Sequence, residues 1–265
     1  MRIITLNVNG VRSAARKGFF TWLSRQRADV VCIQETKAHE DQLTDRVFHP
    51  RGFHAYFHDA EKPGYSGVAI YSRMQPDSVI MGLGWPELDR EGRYLEVQFG
   101  KLSVVSLYAP SGSSSEQRQA FKFSFLDKFM PWLRSLRHQR REYIICGDWN
   151  IAHKQIDLKN WRGNQNNSGF LPEERAWLDE LFGPAGLIDA FRLVNKEPEQ
   201  YTWWSNRGRA WDKNVGWRID YQVVTPGLRN HVLGARIYKD KRFSDHAPLI
   251  MDYQCNLNRV NPKIL

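Results

Sequence analysis

The chain has 265 residues, and its 38 lysine and arginine residues against 29 aspartate and glutamate residues give a formal net charge of +9. Hydrophobic residues make up 42% and charged residues 25% of the chain, which excludes a mainly disordered or low-complexity protein. A basic balance attracts polyanions, so nucleic acid is the first partner to consider, although many proteins carry such a balance for solubility alone.

The first predicted elements are two strands and a helix. Residues 3–9 alternate between apolar and polar side chains, which predicts a strand with Asn7 and Asn9 on one polar face. An amphipathic helix is expected around residues 17–26. The run DVVCIQE at residues 29–35 then predicts a buried strand that ends on an acid.

The middle of the chain adds strands and one long helix. Short apolar runs bounded by glycine and proline predict strands at residues 67–72, 93–99 and 102–110. The serine-rich stretch 111–115 is too short for an interdomain linker, and the apolar positions within residues 121–136 keep helical spacing. The middle region therefore continues the same domain.

The second half has the same character. Strands are predicted for residues 143–148, 216–224 and 246–253, and a helix is predicted for residues 172–182. Because long helices do not alternate strictly with the strands, two mixed sheets packed together fit better than a single parallel sheet. Since no boundary is indicated, we expect one domain over residues 1–265.

The cysteines and the apolar runs bear on the compartment. Cys32, Cys146 and Cys255 are far apart and show neither a disulfide framework nor zinc spacing, so they are interpreted as small buried hydrophobes. The start of the chain resembles no signal peptide, and no apolar run approaches the length of a membrane span. We therefore expect a cytoplasmic protein without a membrane partner.

Several predicted strands begin or end with side chains that can bind a hard cation. They are Asn7, Asn9, Glu35, Asp148, Asn150, Asp220, Asp245 and His246. If these ends lie along one edge of the sheets, they form a cluster of oxygen ligands without thiolates, which selects Mg²⁺ or Mn²⁺ over zinc. Such a cation would compensate the Asp148 carboxylate at the end of the buried strand 143–148.

Each motif also has an ordinary explanation. GDWN, residues 147–150, is equally a turn sequence, and a lone histidine is more often structural than catalytic. Asp220 is harder to explain in this way, because an acid inside an apolar strand needs a partner, for which His246 is a candidate. An imidazole paired with a carboxylate stays readily cationic and can stabilise charge on a phosphoryl oxygen.

Seven motifs together resemble one known family. They are LNVNG (6–10), IQETK (33–37), GYSGVAIYS (64–72), YAP (108–110), GDWN (147–150), KNVGWRIDY (213–221) and SDHAP (244–248). Their order and approximate spacing resemble the exonuclease III family of apurinic/apyrimidinic endonucleases over essentially the whole chain. GDxN is shared with the wider endonuclease/exonuclease/phosphatase superfamily, whereas KNVGWRxDY with GYSGVA is specific to its DNA-repair branch.

The resemblance implies a fold and an activity. The fold is a DNase I-like, four-layer α/β sandwich, in which two mixed β-sheets pack face to face between outer helices. The activity is Mg²⁺-dependent attack of water on the phosphodiester 5′ to an abasic site, with 3′→5′ exonuclease and 3′-end-trimming activity and with Mn²⁺ as a substitute. The implied partner is double-stranded DNA with abasic sites or blocked 3′ ends, and the implied protein is a monomer.

The resemblance also assigns roles in the reaction. Glu35 resembles the principal metal ligand, with Asn7 and Asp245 nearby. Asp148 resembles the group that activates or orients the attacking water, and its role as general base or as metal ligand stays open. The remaining assignments are Asn150 as a holder of metal, water or phosphate, Tyr108 as a phosphate contact, and Asp220 with His246 as support for developing negative charge.

The recognition pocket is implied in the same way. Asn164 and Asn167 resemble the asparagines of a DNA-contacting loop, although such loops are commonly only turns. The apolar walls that accept a sugar without its base correspond to Trp203, Trp217 and Ile219, and Arg207 is a candidate wedge into the duplex. One departure concerns Asn9, which stands where some relatives place a metal-binding aspartate.

Two other functions are weighed against this one. KNWR (159–162) and ERAWLDE (174–180) are similar to the bacterial catabolite repression control protein, a non-catalytic RNA-binding regulator. A regulator has no need of metal ligands, and this sequence retains the whole acid and histidine set, which favours an enzyme. A relative acting on a lipid or inositol phosphate is disfavoured by the GWRID motif and the basic surface.

Overall fold

Two six-stranded mixed sheets form the centre of the fold in a computed structural model that describes residues 1–255 and 257. The strands are β1 (Arg2–Asn7), β2 (Val30–Gln34), β3 (His54–His58), β4 (Val68–Ser72), β5 (Ser78–Met81), β6 (Tyr94–Phe99), β7 (Leu102–Tyr108), β8 (Glu142–Asp148), β9 (Ile188–Asp189), β10 (Trp203–Trp204), β11 (Gly216–Trp217), β12 (Asp220–Val224), β13 (Val232–Ile237) and β14 (Leu249–Tyr253). The sheets have the orders β13-β14-β1-β2-β4-β3 and β5-β6-β7-β8-β12-β9, and β10 pairs with β11 in a separate ribbon.

Helices and short 3₁₀ turns connect these strands. The α-helices are α1 (Val11–Arg16), α2 (Phe19–Leu23), α3 (Pro86–Asp89), α4 (Glu116–Leu136), α5 (Pro172–Phe182) and α6 (Ala190–Val194). The 3₁₀ turns are Glu40–Gln42, Arg46–Phe48, Gln155–Asp157, Trp161–Asn164 and Pro226–His231. In the part of the chain that the structure describes, none of the helices has the length and apolar character needed to cross a membrane.

The apolar core is divided into layers by the period of the strands. Ile3 belongs to a cluster that contains residues of both sheets, whereas its neighbour Ile4 packs outside the first sheet with Phe19 of α2. Outside the second sheet, Phe129 of α4 packs with Ile145 of β8. Since successive side chains of a strand point to opposite faces, each sheet has an inner and an outer core. The predicted four-layer sandwich is confirmed.

The structure corrects two local predictions. The helix predicted for residues 17–26 is shortened to α2, because Gly18 adopts a φ of +85° and separates α2 from α1, which ends at Arg16. The strand predicted for residues 216–224 is two strands, β11 in the ribbon and β12 in the second sheet. The division matters for the site, because it lets Trp217 and Asp220 belong to different sheets.

Candidate active site

The ends of the central strands of both sheets lie at one edge of the molecule. β1 and β2 are parallel, with Asn7 opposite Gln34, so both strands end at this edge. β7 and β8 are parallel as well, with Tyr108 opposite Asp148, and the antiparallel β12 starts there with Asp220 opposite Asp148. The topology therefore brings polar strand ends from both sheets together.

The remaining predicted residues reach the same edge through neighbouring turns. Glu35 follows β2 directly and adopts a left-handed backbone with a φ of 53°. β14 is antiparallel to β1, so the segment before it, with Asp245 and His246, returns to the edge where β1 ends. An isolated bridge between His246 and Trp203 fixes this segment to the ribbon.

Asn7 joins the acids of the two sheets. Its amide nitrogen donates to Glu35 Oε1 at 2.8 Å and to Asp148 Oδ2 at 2.9 Å, and its amide oxygen accepts from the backbone N–H of Asn9 at 2.9 Å. The side chain is fully buried. The polar face predicted for β1 thus faces the second sheet, and Asn7 holds the two carboxylates near each other.

A chain of contacts links Glu35 to Asp245. Glu35 Oε2 pairs with Lys37 Nζ at 2.7 Å, Lys37 donates to Asn9 Oδ1 at 2.6 Å, and Asn9 Nδ2 donates to Asp245 Oδ1 at 3.0 Å. Burial would raise the pKa of Glu35, but Lys37 and the Asn7 amide lower it below its ordinary value. Glu35 is therefore ionised at neutral pH.

His246 lies between two buried carboxylates. Its Nδ1 is 2.9 Å from Asp220 Oδ2, and its Nε2 is 3.9 Å from Asp148 Oδ2. Burial would lower the pKa of His246, but Asp220 and Asp148 raise it to about 10. Burial also raises the pKa of Asp148 to about 7, although His246 opposes this rise. The group is thus an imidazolium between an aspartate and an acid able to exchange a proton near neutrality.

The GDWN turn orients Asp148 and Asn150. Asp148 Oδ1 accepts the backbone N–H of Asn150 at 2.9 Å, which is the local turn bond expected of an aspartate. Asn150 has a φ of 54°, and its side-chain nitrogen donates to the Ala109 carbonyl at 2.9 Å. The ordinary turn and the predicted site therefore coexist, because one oxygen of Asp148 closes the turn and the other faces Asn7 and His246.

Arg93 holds Tyr108 in place. The guanidinium of Arg93 lies 4.4 Å from the centre of the Tyr108 ring and donates to the Tyr108 carbonyl at 3.0 Å. Burial and the neighbouring Glu35 raise the pKa of Tyr108 well above its ordinary value. The phenol therefore stays protonated at every physiological pH and can donate a hydrogen bond.

These side chains face a cavity of about 890 Å³. The predicted residues that line it are Asn9, Glu35, Tyr108, Asp148, Asn150, Asn167, Trp203, Trp217, Ile219, Asp245 and His246. Asn7 and Asp220 are fully buried and lie behind this surface, in contact with residues that line it.

The apolar wall of the cavity is tied to the acids. Trp203 and Trp217 face each other across the ribbon, with ring centroids 6.2 Å apart and planes at 81°. Trp203 Nε1 donates to Asp245 Oδ2 at 3.1 Å. The buried Ile219 packs in the same cluster as both rings. An apolar wall of two nearly perpendicular indole rings, the tryptophan wall, therefore stands directly beside the carboxylate cluster.

The other two residues predicted to bind DNA lie at a neighbouring cavity of about 450 Å³. Asn164 and the exposed Arg207 line it together with Lys159 and Lys213, and Trp203 and Trp217 separate it from the larger cavity. Asn164 Oδ1 also accepts from Asn167 Nδ2 at 2.8 Å, which links the two cavities. The predicted DNA contacts are therefore distributed over two adjoining, partly basic hollows.

Three functional neighbours were not singled out in the sequence. Lys37 had a signal, since a cation two residues after a strand-ending acid is placed to pair with it. Arg93 and Lys122 had none, because single cations at the start of a strand or on a helix are usually solvated, and here both are fully buried.

The donors fit a hard divalent cation. The edge gathers carboxylate and amide oxygens, and the fully buried Asp220 Oδ1 has no hydrogen-bond partner among the described residues. The side chains of Asp148, Asp220 and His246 also lie close enough to one another to hold a metal ion. However, both nitrogens of His246 face carboxylates, and an imidazolium has no lone pair to give.

Comparisons with known proteins agree with this geometry. The model of the Endonuclease/Exonuclease/phosphatase family matches residues 4–246. The exodeoxyribonuclease of Bacillus subtilis is 39% identical over 251 residues, 94% of this chain and 98% of that protein. The DNA repair nuclease APEX1 of Danio rerio is 37% identical over 254 residues, 95% of this chain and 81% of that protein.

Solved structures give the same result. An AP endonuclease from Archaeoglobus fulgidus superposes with a TM-score of 0.86 at 27% identity, over 96% of this chain and all of that one. A 3′ phosphatase from Neisseria, bound to a product DNA hairpin, superposes with a TM-score of 0.86 at 25% identity, over 96% of this chain and 99% of that one. The chain belongs to the endonuclease/exonuclease/phosphatase family. Within it, the chain is a nuclease of the DNA-repair type.

Proposed function

We propose that this nuclease hydrolyses the phosphodiester 5′ to an abasic site in duplex DNA by Mg²⁺-dependent attack of water, and that it also trims 3′ ends as an exonuclease and phosphatase. The observation that carries the proposal is one cavity that joins a carboxylate cluster, an imidazolium and a tryptophan wall. The first two suit phosphoryl transfer, and the third suits a sugar that has lost its base.

Asp148 and His246 divide the proton and charge chemistry. With a pKa of about 7, Asp148 can orient a water molecule and accept its proton at neutral pH. His246 keeps its charge through Asp220, so its Nε2–H is a fixed donor for the negative charge that grows on the phosphoryl oxygens. Asp220, on the side of the imidazole away from Asp148, keeps His246 charged and therefore supports both roles.

Tyr108 and Asn150 position the phosphate. The Tyr108 hydroxyl stays protonated beside Glu35, so it can donate to a phosphate oxygen entering the cavity. Because the Asn150 nitrogen is held by the Ala109 carbonyl, its amide oxygen keeps a fixed direction. Neither side chain needs to rearrange when the substrate arrives, which is the condition for efficient preorganisation.

Glu35 and Asp245 are the residues we propose as principal holders of Mg²⁺, with oxygens of Asn7, Asp148 or Asn150 completing the site directly or through water. Both acids line the cavity, and neither has its charge fully compensated by a buried arginine. When bound, Mg²⁺ supplies Lewis-acid polarisation of a phosphoryl oxygen. Mn²⁺ is expected to substitute, since it accepts the same oxygen donors.

The tryptophan wall gives the selectivity for abasic DNA. Extruding a nucleotide without a base forfeits little stacking, and the sugar then meets Trp203, Trp217 and Ile219 rather than water. An intact nucleotide is bulkier and costs more to extract. The basic hollow around Arg207 and Lys213 is placed to neutralise the flanking phosphates, which contributes salt-dependent affinity.

A panel of end-labelled duplexes tests the proposal. One duplex carries an abasic analogue, one a 3′-phosphate and one a recessed 3′-hydroxyl, each with Mg²⁺, with Mn²⁺ and with excess EDTA. We expect a cut 5′ to the abasic analogue with either metal and none in EDTA. Glu35→Gln should lose the cut, while Glu40→Gln, an exposed acid five residues away, should keep it.

Metal binding is measured separately from activity. At a Mg²⁺ concentration ten times the dissociation constant, the parent should gain about 1.4 kcal/mol of stability, and Glu35→Gln should gain much less. Cutting in excess EDTA would contradict the metal role. Binding of RNA without cutting of any duplex would favour the regulator alternative. Light scattering tests the expectation of a monomer, and a single cooperative unfolding transition tests the expectation of one domain over residues 1–265.

A further inference from the structure

A fully buried ion pair joins the two helices that flank the cavity. Lys122 lies on α4 and Glu174 on the first turn of α5, and both side chains have no exposed surface. Lys122 Nζ donates to Glu174 Oε1, and Gln119 Nε2 donates to the same oxygen at 3.2 Å. Burial lowers the pKa of Lys122, and the carboxylate of Glu174 opposes this.

Each member of the pair also holds a backbone segment of the site. Lys122 Nζ donates to the Asn150 carbonyl at 2.8 Å. Glu174 Oε2 accepts the backbone N–H groups of Gly169 and Leu171 at 2.6 and 3.0 Å. The pair thus connects the turn that carries Asn150 to the end of the loop that carries Asn167.

The two segments also meet each other directly. Ala152 N–H donates to the Gly169 carbonyl at 2.8 Å. A Cβ at Gly169 would lie 3.1 Å from the Asn150 carbonyl oxygen, and Gly169 has a φ of +92°. The Asn150 carbonyl is therefore enclosed between Gly169 and Lys122. A small displacement of either segment would be transmitted to the other.

Stability is a poor explanation for this arrangement. Removing two charges from water is costly, and well-packed apolar residues of similar volume are often as stable as a buried pair. What an apolar pair cannot supply is a donor for the Asn150 carbonyl and an acceptor for two loop N–H groups. The contacts that an apolar pair would lose are therefore those that reach the site.

We propose that Lys122 and Glu174 are positioning residues of the nuclease, which fix the Asn150 turn and the 163–171 loop relative to each other. Lys122 acts through Asn150, so its loss should lower kcat. Glu174 acts through the loop N–H groups, so its loss should raise KM. The inference rests on the proposed function, because it takes Asn150 as a phosphate-positioning residue and the loop as a DNA contact.

Two charge-free double variants separate these effects. Lys122→Met with Glu174→Gln removes the donor to Asn150 but keeps an acceptor oxygen for the loop. Lys122→Met with Glu174→Leu removes both. On the abasic duplex we expect the first to lower kcat by about 10-fold to 100-fold with little change in KM, as misplacement of a reacting group does. The second should raise KM in addition.

The matched control is Arg134→Met with Glu180→Gln, a half-exposed pair between the same two helices that makes no contact with the cavity. It should keep the parental kcat and KM. Hydrogen exchange gives a readout independent of turnover, since the amides of Gly169 and Leu171 should exchange faster only in the Glu174→Leu variant. Parental kcat in a folded Lys122→Met, Glu174→Gln protein would overturn the proposal.

Two further outcomes are decisive. If the double variants do not fold, Lys122→Arg replaces them, since the longer guanidinium should displace the Asn150 carbonyl and lower kcat at constant KM. An unchanged kcat in that variant would also overturn the proposal. If the parent fails to cut the abasic duplex but cuts a 3′ end, the proposed specificity is wrong, and the same variants then test positioning on that substrate.

Discussion

Two groups of largely buried charged side chains, one centred on Asp157 and one in the active site, differ in how completely their charges are paired. In the first, Arg218 donates to Asp157 at 2.8 Å and to Asp189 at 2.7 Å, and Arg192 donates to Asp157 at 2.6 Å. Two arginines compensate two aspartates, so this group is closed.

The group in the active site is open. Its acids are Glu35, Asp148, Asp220 and Asp245, and its cations are His246 and Lys37. Four acids share two cations here, and three of the acids, Glu35, Asp148 and Asp245, line a cavity rather than packed protein. The open group therefore keeps oxygen lone pairs and net negative charge for something that enters.

The difference shows how burial alone fails to separate structural from catalytic acids. Asp157 and Asp148 are almost equally inaccessible, with exposures of 1% and 2%. Burial tends to raise both pKa values, yet arginine neighbours hold the pKa of Asp157 well below its usual range, while that of Asp148 is raised to about 7. The charge of the neighbouring side chains, rather than the depth of burial, therefore separates the structural from the catalytic acid.

The largest effect should come from the open group. Asp148→Asn is expected to lower kcat on an abasic duplex by about 10²-fold to 10⁴-fold, the usual contribution of a general base. The affinity for DNA should stay near the parental value. Turnover by quenched flow and affinity by fluorescence anisotropy separate the two quantities. An equal collapse of binding would contradict the catalytic assignment of Asp148.

The open group could be predicted from the sequence, because its members stand at the ends of strands. A buried run that stops on Glu35 or Asp148 marks an edge of a sheet, and Asp245 with His246 stands at the start of the last predicted strand. What the sequence predicted was the gathering of these residues. It did not show that Asn7 donates to two acids, or that Trp203 binds Asp245, since such contacts depend on register between distant segments.

The closed group and the Lys122–Glu174 pair were not predictable in this way. In the sequence nothing distinguishes Arg192, Arg218 and Lys122 from ordinary surface cations, and only tertiary packing buries Arg218 and Lys122 fully and Arg192 in part. The same limit explains the misplaced strand at residues 216–224, whose apolar character hides the point where the chain leaves the ribbon for the second sheet. Local pattern identifies elements, but it does not identify their partners.

The next effect should come from opening the closed group. Arg218→Met leaves Asp157 and Asp189 buried with less compensation, so we expect a loss of about 3–5 kcal/mol in the free energy of unfolding. Urea denaturation in EDTA measures this loss. Arg209→Met, which removes an exposed pair with Asp212, should leave the midpoint unchanged. A loss no larger than this control would mean that the closed group does not stabilise the fold.

The smallest effect concerns the free energy of unfolding of the metal-free protein, which Asp148 and Asp157 should make depend on pH in opposite directions. The raised pKa of Asp148 means that its contribution to stability is present below about pH 4 and is lost as the pH rises towards 7. The lowered pKa of Asp157 means that its contribution is present above about pH 4 and is lost as the pH falls.

Replacing each aspartate by asparagine reveals its contribution to this pH dependence of the free energy of unfolding. Relative to the parent, Asp148→Asn should gain stability between about pH 4 and pH 7, whereas the deficit of Asp157→Asn should shrink as the pH falls below about 4. Chemical denaturation in EDTA at several pH values measures both differences. Parallel curves for the two variants would mean that the two acids experience the same environment in the folded protein, and the contrast between an open and a closed group would then be wrong.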